Sequence, residues 1–313
     1  MKVIIDTDPG NDDAIAILLA LGSPEIELLG LSVVAGNVPL AITSRNARMI
    51  CEMASSAAIP VYDGEEGPLK NPPVTAEDVH GRSGLEGVKI VEPKRPAETM
   101  HGVDWIIESV LSNQGDVSIC ALGPLTNIAR AIEREPRLPG MIKELVIMGG
   151  SHFQGGNITP MAEFNFYVDP HAADIVFRSG VPITLAPLDI TLQALMEEDW
   201  IQRFSGLGDI GNFVTQLLMP SLRFSQRRYE GKHAPLHDPF TVAYLVKPAL
   251  FKTRHVSVRI ETESSICMGA SAIDWWNVTQ DEPNCHVLSE VDSEGYFELI
   301  YERIRVLEES RSR

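Results

Sequence analysis

The 313-residue sequence predicts an α/β protein: an open, mostly parallel sheet flanked by helices, with its working edge at the carboxyl ends of the strands. Three observations carry that expectation. Short apolar runs rich in valine, isoleucine and leucine recur along the chain and alternate with stretches of helical period. Many of these runs end in glycine, proline, aspartate or asparagine, residues that stop a strand or open a helix. Internal repeats, coiled-coil heptads and low-complexity tracts are absent, so residues 1–313 read as a single domain.

The first unit sets the pattern. KVII at 2–5 reads as a buried strand and DDAIAILLAL, from Asp12, as a helix. Between them IDTDPGNDD, residues 5–13, places Asp6, Asp8, Asp12 and Asp13 on the connecting loop. Carboxylates that close raise one another's pKa or require a cation, and a helix amino end offsets only part of their charge. A hard cation with oxygen ligands, Ca²⁺ or Mg²⁺, meets that need. Plain turn chemistry, with Asp12 as a cap and Asp6 or Asp8 in an Asx-turn, accounts for two of the acids and leaves the others unexplained. An EF-hand is a poor match, because Asn11 and Ile17 stand where that loop needs glycine and glutamate. A phosphate-transferring aspartate, Asp6 or Asp8, is the rival reading of the same loop.

Further along, LLGLSVVAGN at 28–37 is a second strand that carries Asn37 toward the aspartates if the two strands are neighbours. A helix over 43–57 and a short strand at 59–62 follow. Residues 63–96 are rich in glycine, proline and charge and lack a period; this excursion, which holds His80, reads as a surface linker or an active-site lid. A helix over 98–113, the strand VSICAL at 117–122, a Gly123-Pro124 turn and a helix from Leu125 repeat the opening layout, which brings the Leu122 backbone to the same edge. The strand over 143–150 ends in two glycines, and beyond it Asn157, Glu163 and Asn165 lie in a stretch without helical period. Glu163 and Asn165, two apart, point to one side of an extended segment. VPITLAP at 181–187 is a strand, Asp189 leads into a helix, and 201–229 is mainly helical, interrupted by Gly206, Gly208 and Gly211 and ending at Tyr229. His237 and Asp238 directly precede Pro239, a residue suited to the first position of a helix, so Asp238 is read as its cap. HVSVRI at 255–260, SAIDWWNV at 271–278 and an amphipathic helix from Glu294 close the chain.

Composition narrows the function. With 44% hydrophobic and 22% charged residues the chain is an ordinary globular protein, and its net charge of -17 opposes nonspecific nucleic-acid binding. Cys51, Cys120, Cys267 and Cys285 form no CxxC pair, so neither a thiolate metal site nor a redox motif is expected. No run reaches transmembrane length and no signal stretch precedes the first strand, so a cytoplasmic enzyme without membrane partners is expected.

DTDPGNDD, LGPLTNIA, MGG, AEFN and HDP occur in that order and together resemble the inosine-uridine-type nucleoside hydrolases, from about residue 2 to at least 247. The resemblance implies a Ca²⁺-dependent N-ribohydrolase on a Rossmann-like fold, a ribonucleoside substrate, and assembly as a homodimer or homotetramer. It implies that Asp8, Asp13 and Asp238 ligate Ca²⁺ through carboxylates and Leu122 through its carbonyl, with Asp8 also the base toward a metal-bound water. Asp12, Asn37, Asn157, Glu163 and Asn165 are then the residues that hold the ribose hydroxyls, while Asp6 buttresses the loop. His80 and His237 match the residues around the base, as stacking groups or proton donors, with Tyr229 close by and His237 the first choice as donor. Family members often have threonine where Leu122 stands, a departure that a carbonyl contact tolerates. The helix expected to face the base, around Arg223, Gln226, Arg227, Arg228 and Tyr229, matches no subgroup, so the preferred base is open. The chemistry fits the residues independently, because an oxocarbenium-like sugar gains from crowded carboxylates. Two alternatives stay beside this reading: a metal-dependent phosphohydrolase with Asp6 or Asp8 as nucleophile, and a non-catalytic calcium-dependent module that binds a ribosyl ligand.

Overall fold

The computed structural model describes residues 1–54, 59–229 and 233–311, with the side chains of Arg228 and Tyr229 outside the described set. β1 (Lys2–Thr7) leads into α1 (Asn11–Leu21), and the alternation continues through β2 (Glu27–Val33), α2 (Leu40–Ala54), β3 (Val61–Asp63), the single turn α3 (Glu77–His80), α4 (Gly102–Ser112), β4 (Val117–Ala121) and α5 (Thr126–Arg134). Next come β5 (Ile142–Met148), α6 (Phe164–Val168), α7 (Pro170–Arg178), β6 (Ile183–Ala186), α8 (Leu188–Thr191), β7 (Leu195–Met196), α9 (Glu198–Gln202) and α10 (Asp209–Tyr229). The last part holds β8 (Ala234–Pro235), α11 (Pro239–Val246), β9 (Phe251–Val256), β10 (Val258–Ile260), β11 (Ser271–Ile273), β12 (Cys285–Val291) and α12 (Ser293–Arg311).

Eight strands form one open sheet in the order β3-β2-β1-β4-β5-β6-β12-β9. Every neighbouring pair is parallel except β12 with β9. The order runs outward from β1 to β3, then resumes at β4 on the other side of β1. The carboxyl ends of β1 and β4 therefore flank a topological switch point, the crevice where open α/β sheets bind ligands.

Alternation along the strands builds the two faces. Val3 and Ile5 join one buried apolar cluster and Ile4 the other. On the first face α1 is enclosed by α2, α10, α11 and α12 as well as by the sheet. That explains why Ile15, Ile17, Leu18 and Leu19 are fully buried on a helix that is apolar nearly all round. Each such side chain contributes about 1.5–3 kcal/mol of gross burial. Among the described residues no helix is long and apolar enough to cross a membrane.

Two expectations are corrected. The run at 255–260 is not one strand: β9 ends at Val256, and the chain crosses to a separate hairpin in which β10 pairs β11. β12, which the sequence did not suggest, mixes buried Cys285, Val287 and Leu288 with exposed His286 and Glu290, a pattern weak in isolation and decided by its two neighbours. The glycine interruption expected in the 201–229 span falls at Gly208, whose φ of +132 leaves α10 to start afresh at Asp209.

The excursion after β3 is strapped across the carboxyl edge. Glu65 N–H donates to Asn127 Oδ1 (2.8 Å), Leu69 N–H to Asp169 Oδ2 (2.8 Å), and Ala76 N–H to the Asn37 carbonyl (2.9 Å). Leu85 is fully buried beneath it. Asp169 is the main anchor, since it also accepts from Thr126 Oγ1 (2.8 Å) and caps α7 through Ala172 N–H (3.0 Å). Asp169→Ala strands three donors, those of Thr126 and Ala172 buried and that of Leu69 half-buried, and is expected to cost about 3 kcal/mol. Denaturant unfolding checks this, and a loss below about 1 kcal/mol would show that the strap is held elsewhere.

Candidate active site

β1 persists through Thr7, so Asp6 stands inside the strand and not on the loop with the other acids. Its Oδ1 accepts from Ser32 Oγ of β2 and from Asn127 Nδ2 (2.8 Å), and burial, against those two donors, pushes its pKa up to about 7. α1 begins at Asn11 with Gly10 as its N-cap residue, so Asp12 is not the cap. Asp13 turns back instead: Oδ2 accepts from Gly10 N–H (2.9 Å) and Oδ1 from Thr7 Oγ1 (2.6 Å).

Asp8 lies at the switch point, fully buried. Its Oδ2 accepts from Asn37 N–H (2.6 Å), and Asn37 Nδ2 donates to the Asp8 carbonyl (3.1 Å) and to Asp13 Oδ2 (3.3 Å). Among the described residues Asp8 Oδ1 has no hydrogen-bond partner. Gly36 and Gly123 press on this carboxylate from two sides, and a Cβ at either would collide with it. Asp238 occupies the N-cap position of α11 yet makes no side-chain cap bond. Its carboxyl reaches Asp13, and Asp12, Asp13 and Asp238 each offer an oxygen within 4.8 Å of the others.

Burial first, and then the neighbouring acids, raise the pKa values of Asp8, Asp13 and Asp238. A buried cluster of that kind must bind protons or a cation. The donor set is all oxygen, Asp8 Oδ1 lacks a partner, and the Leu122 carbonyl, which accepts from Asn165 Nδ2 (2.7 Å), keeps a second lone pair. These residues fit a hard divalent cation such as Ca²⁺.

Above the acids is a cavity of about 570 Å³ lined by Asp12, Asn37, Leu122, Asn157, Glu163, Asn165, His80, His237 and Asp238. Asp8 and Asp13 lie behind this lining. Glu163 caps α6, accepting from Asn165 N–H (2.9 Å) and, across the site, from Gly150 N–H (2.9 Å). Burial pushes its pKa up to about 7 despite those donors. Asn165 Nδ2 also reaches the Met148 carbonyl (3.2 Å), so β4 and β5 share one amide at their ends. Asn157 Oδ1 accepts from Phe164 N–H (2.9 Å).

The two histidines are held differently. His80 Nδ1 accepts from the Asn11 backbone N–H (3.2 Å), which leaves Nε2 as the protonated nitrogen of its neutral ring. His237 Nδ1 lies 2.7 Å from Thr191 Oγ1. Burial lowers the His237 pKa, with the Asp12 charge opposing.

Several residues of the site were not singled out from the sequence. On α10 the positions 221, 224 and 225 share a face, and Ser221, Phe224 and Ser225 line the cavity, whereas Arg223, Gln226 and Arg227 are exposed. The expectation for Tyr229 falls on a side chain outside the described residues. Asp189 gathers the backbone N–H groups of His152 (2.7 Å), Phe153 (2.7 Å) and Gln154 (3.3 Å), and so fixes the loop that brings Gln154 and Asn157 to the cavity.

The inosine-uridine preferring nucleoside hydrolase family matches residues 3–298. The chain belongs to that family. It is 46% identical to an uncharacterised protein of Schizosaccharomyces pombe over 97% of this chain and 99% of that one. It is 38% identical to the pyrimidine-specific ribonucleoside hydrolase RihA of Escherichia coli, over 97% and 98% of the two chains. Among solved structures, a purine-preferring ribonucleoside hydrolase from Gardnerella vaginalis superposes with a TM-score of 0.93 at 32% identity, covering 99% of this chain and 100% of that one. A plant nucleoside hydrolase, PpNRh1, follows at 0.91 and 32%, covering 97% and 98%. The chain is thus an enzyme of the class that acts on N-glycosyl compounds.

Within this nucleoside hydrolase site Glu163 has a measurable signature. Its folded pKa of about 7 exceeds the ordinary 4.5, so between those values the unfolded chain gives up a proton that the folded one keeps. Stability from this group therefore falls as pH rises through that window and is level above about 7. Denaturation of chelator-treated wild type and Glu163→Gln is expected to show the variant gaining on the wild type across the window; a constant offset would refute the assignment.

Proposed function

We propose that the chain is a calcium-dependent ribonucleoside hydrolase that cleaves the bond between ribose and a pyrimidine or purine base. The observation that carries this is the buried group of Asp8, Asp13 and Asp238, of which Asp238 reaches the cavity, beside a rim of amides and acids at the β1/β4 switch point. Asp8, Asp13, Asp238 and the Leu122 carbonyl would hold the cation, which offsets their charge and gives the sugar hydroxyls and the attacking water a Lewis acid.

The remaining steps fall to the chain's own groups. Asp12, Asn37, Asn157, Glu163 and Asn165 orient the ribose through its hydroxyls, and the acids beneath favour the positive charge that develops at the anomeric carbon. Water oxygen bonds to that carbon while the glycosidic electron pair leaves with the base. The water proton goes to Asp8. A histidine supplies the proton taken up by the base. His237 is the first choice for this role, since it stands beside Asp238 in the cavity lining. Asp6 supports β1 from behind, and the strap bearing α3 shields the sugar from bulk water. Assembly as a homodimer or homotetramer belongs to the same reading and rests on the family resemblance.

Phosphoryl transfer is not favoured, since no lysine or arginine lines the cavity among the described residues. The named relatives point to both base classes, RihA to pyrimidines and the Gardnerella vaginalis enzyme to purines, so the first panel is uridine, cytidine, inosine and adenosine. Free ribose is expected, abolished by chelator and restored by Ca²⁺, with no phosphate released from phosphomonoesters. Saturable nucleoside binding without ribose release would instead identify a binding module. Asp8→Ala is expected to lower kcat by at least about a hundredfold, and turnover near wild type would remove Asp8 from the mechanism.

The acid is tested separately. His237→Ala is expected to lose about a hundredfold or more on uridine and inosine but little on a nitrophenyl riboside, whose leaving group needs no proton. His80→Ala is expected to lose less. Absence of rescue by the activated leaving group in both variants would defeat the assignment of either histidine as acid.

A further inference from the structure

The buried hydroxyl beside His237 has no role in the mechanism so far. Thr191 is the last residue of α8, the single turn that follows the carboxyl end of β6, and it is 0% exposed. α8 is fixed at its start, where Leu188 N–H donates to the Gly150 carbonyl (2.9 Å). From there Thr191 Oγ1 reaches His237 Nδ1 at 2.7 Å, across 46 positions of sequence. The other acceptor within reach, the Leu188 carbonyl, is 3.5 Å away, too long for a good O–H···O bond.

We infer that Thr191 is a positioning residue for His237: its hydroxyl holds the ring by Nδ1 and so directs Nε2 to the cavity, where the leaving base accepts its proton. This rests on the reading of the chain as a nucleoside hydrolase with His237 as proton donor. The chemistry of the contact is suited to that role. When Nε2 gives its proton to the base, the proton on Nδ1 stays, and Nδ1–H donates to the hydroxyl before and after the transfer; in the other neutral tautomer, with the proton on Nε2, the hydroxyl can turn and donate to Nδ1. The ring therefore keeps one orientation whichever nitrogen carries the proton. The backbone N–H against His80 Nδ1 can only donate, so that ring lacks the same latitude. His237 is also fixed from its own chain, since Pro239 and α11 begin two residues later. The backbone sets where the imidazole stands, and Thr191 sets which nitrogen faces the substrate.

The test is a double-mutant cycle on the full-length enzyme in the presence of Ca²⁺, with Thr191→Val and Thr191→Ser each made in wild type and in His237→Ala. Thr191→Val keeps the shape and removes the hydroxyl. It is expected to lower kcat on uridine and inosine by about 10-fold or more, a usual scale for groups that orient a functional histidine. KM is expected to stay within about threefold, and kcat on a nitrophenyl riboside close to wild type, because the loss is confined to proton delivery. Thr191→Ser is expected to restore nucleoside turnover to within about threefold, and Thr191→Val to cost nothing further in the His237→Ala background.

An unchanged kcat in Thr191→Val, an equal loss on the activated substrate, or the same loss with His237 absent would each overturn the inference. If Thr191→Val does not fold, Thr191→Ala enters the same cycle under the same criteria. Undiminished nucleoside turnover in His237→Ala would instead overturn the underlying assignment of the proton donor, an outcome distinguishable from failure at Thr191 alone.

Discussion

The structure is organised around three carboxylates, Asp8, Asp13 and Asp238, kept in one buried patch although burial and neighbouring acids, Asp12 among them, push each toward its protonated form. Left to themselves such groups would separate or stay neutral. They are held by rigid donors, the N–H groups of Gly10 and Asn37 and the hydroxyl of Thr7, and by the amino ends of α1 and α11, whose dipoles favour negative charge. Gly36 and Gly123 allow the chain to close around Asp8 where any side chain would collide with it. The fold stores an electrostatic demand at the switch point of its sheet, and a cation or a developing positive charge is what answers it.

Everything around the patch serves to aim groups at it. Asn165 ties the ends of β4 and β5 together, and Glu163 caps α6 while holding Gly150. The strap after β3 brings His80 to the cavity and is pinned at Glu65, Leu69 and Ala76, so it forms a fixed wall of the site along that part. α8 is a single turn, but Asp189 on it gathers the loop at 152–154 and Thr191 on it meets His237. Short, well-anchored elements of this kind hold side chains more tightly than long loops, which is what a site that must place a sugar ring requires.

Much of the fold could be read from the sequence, because α/β alternation leaves a strong local signal: the parallel strands buried on both faces are continuous apolar runs, and the helices between them have the helical period. The acids of the opening loop, Asn37, the Leu122 turn, the segment of Glu163 and Asn165, and His237-Asp238 were all identified as neighbours on one edge, and the structure brings them together. What failed was the strand with weak local pattern. β12 depends on β6 and β9 for its pairing, and β10 leaves the sheet at a point that no residue type announces. The extent of β1 is also not legible in the sequence, because an aspartate inside a strand is tolerated only when partners such as Ser32 and Asn127 are supplied from elsewhere.

By itself, then, the sequence determined the architecture, the acid-rich switch-point loop and the family, because each is carried by local periodicity or by motifs whose residues are contiguous. Only the tertiary structure decided how the acids divide, with Asp6 facing Ser32 and Asn127 while Asp238 joins Asp13 from a distant helix. It also decided that α10 shows Ser221, Phe224 and Ser225 to the cavity and turns Arg223, Gln226 and Arg227 outward. The contact of Thr191 with His237 belongs to the same class. The rotation of a helix about its axis and the meeting of side chains far apart in sequence are fixed by packing against the rest of the chain, and packing leaves no local trace in the order of residues.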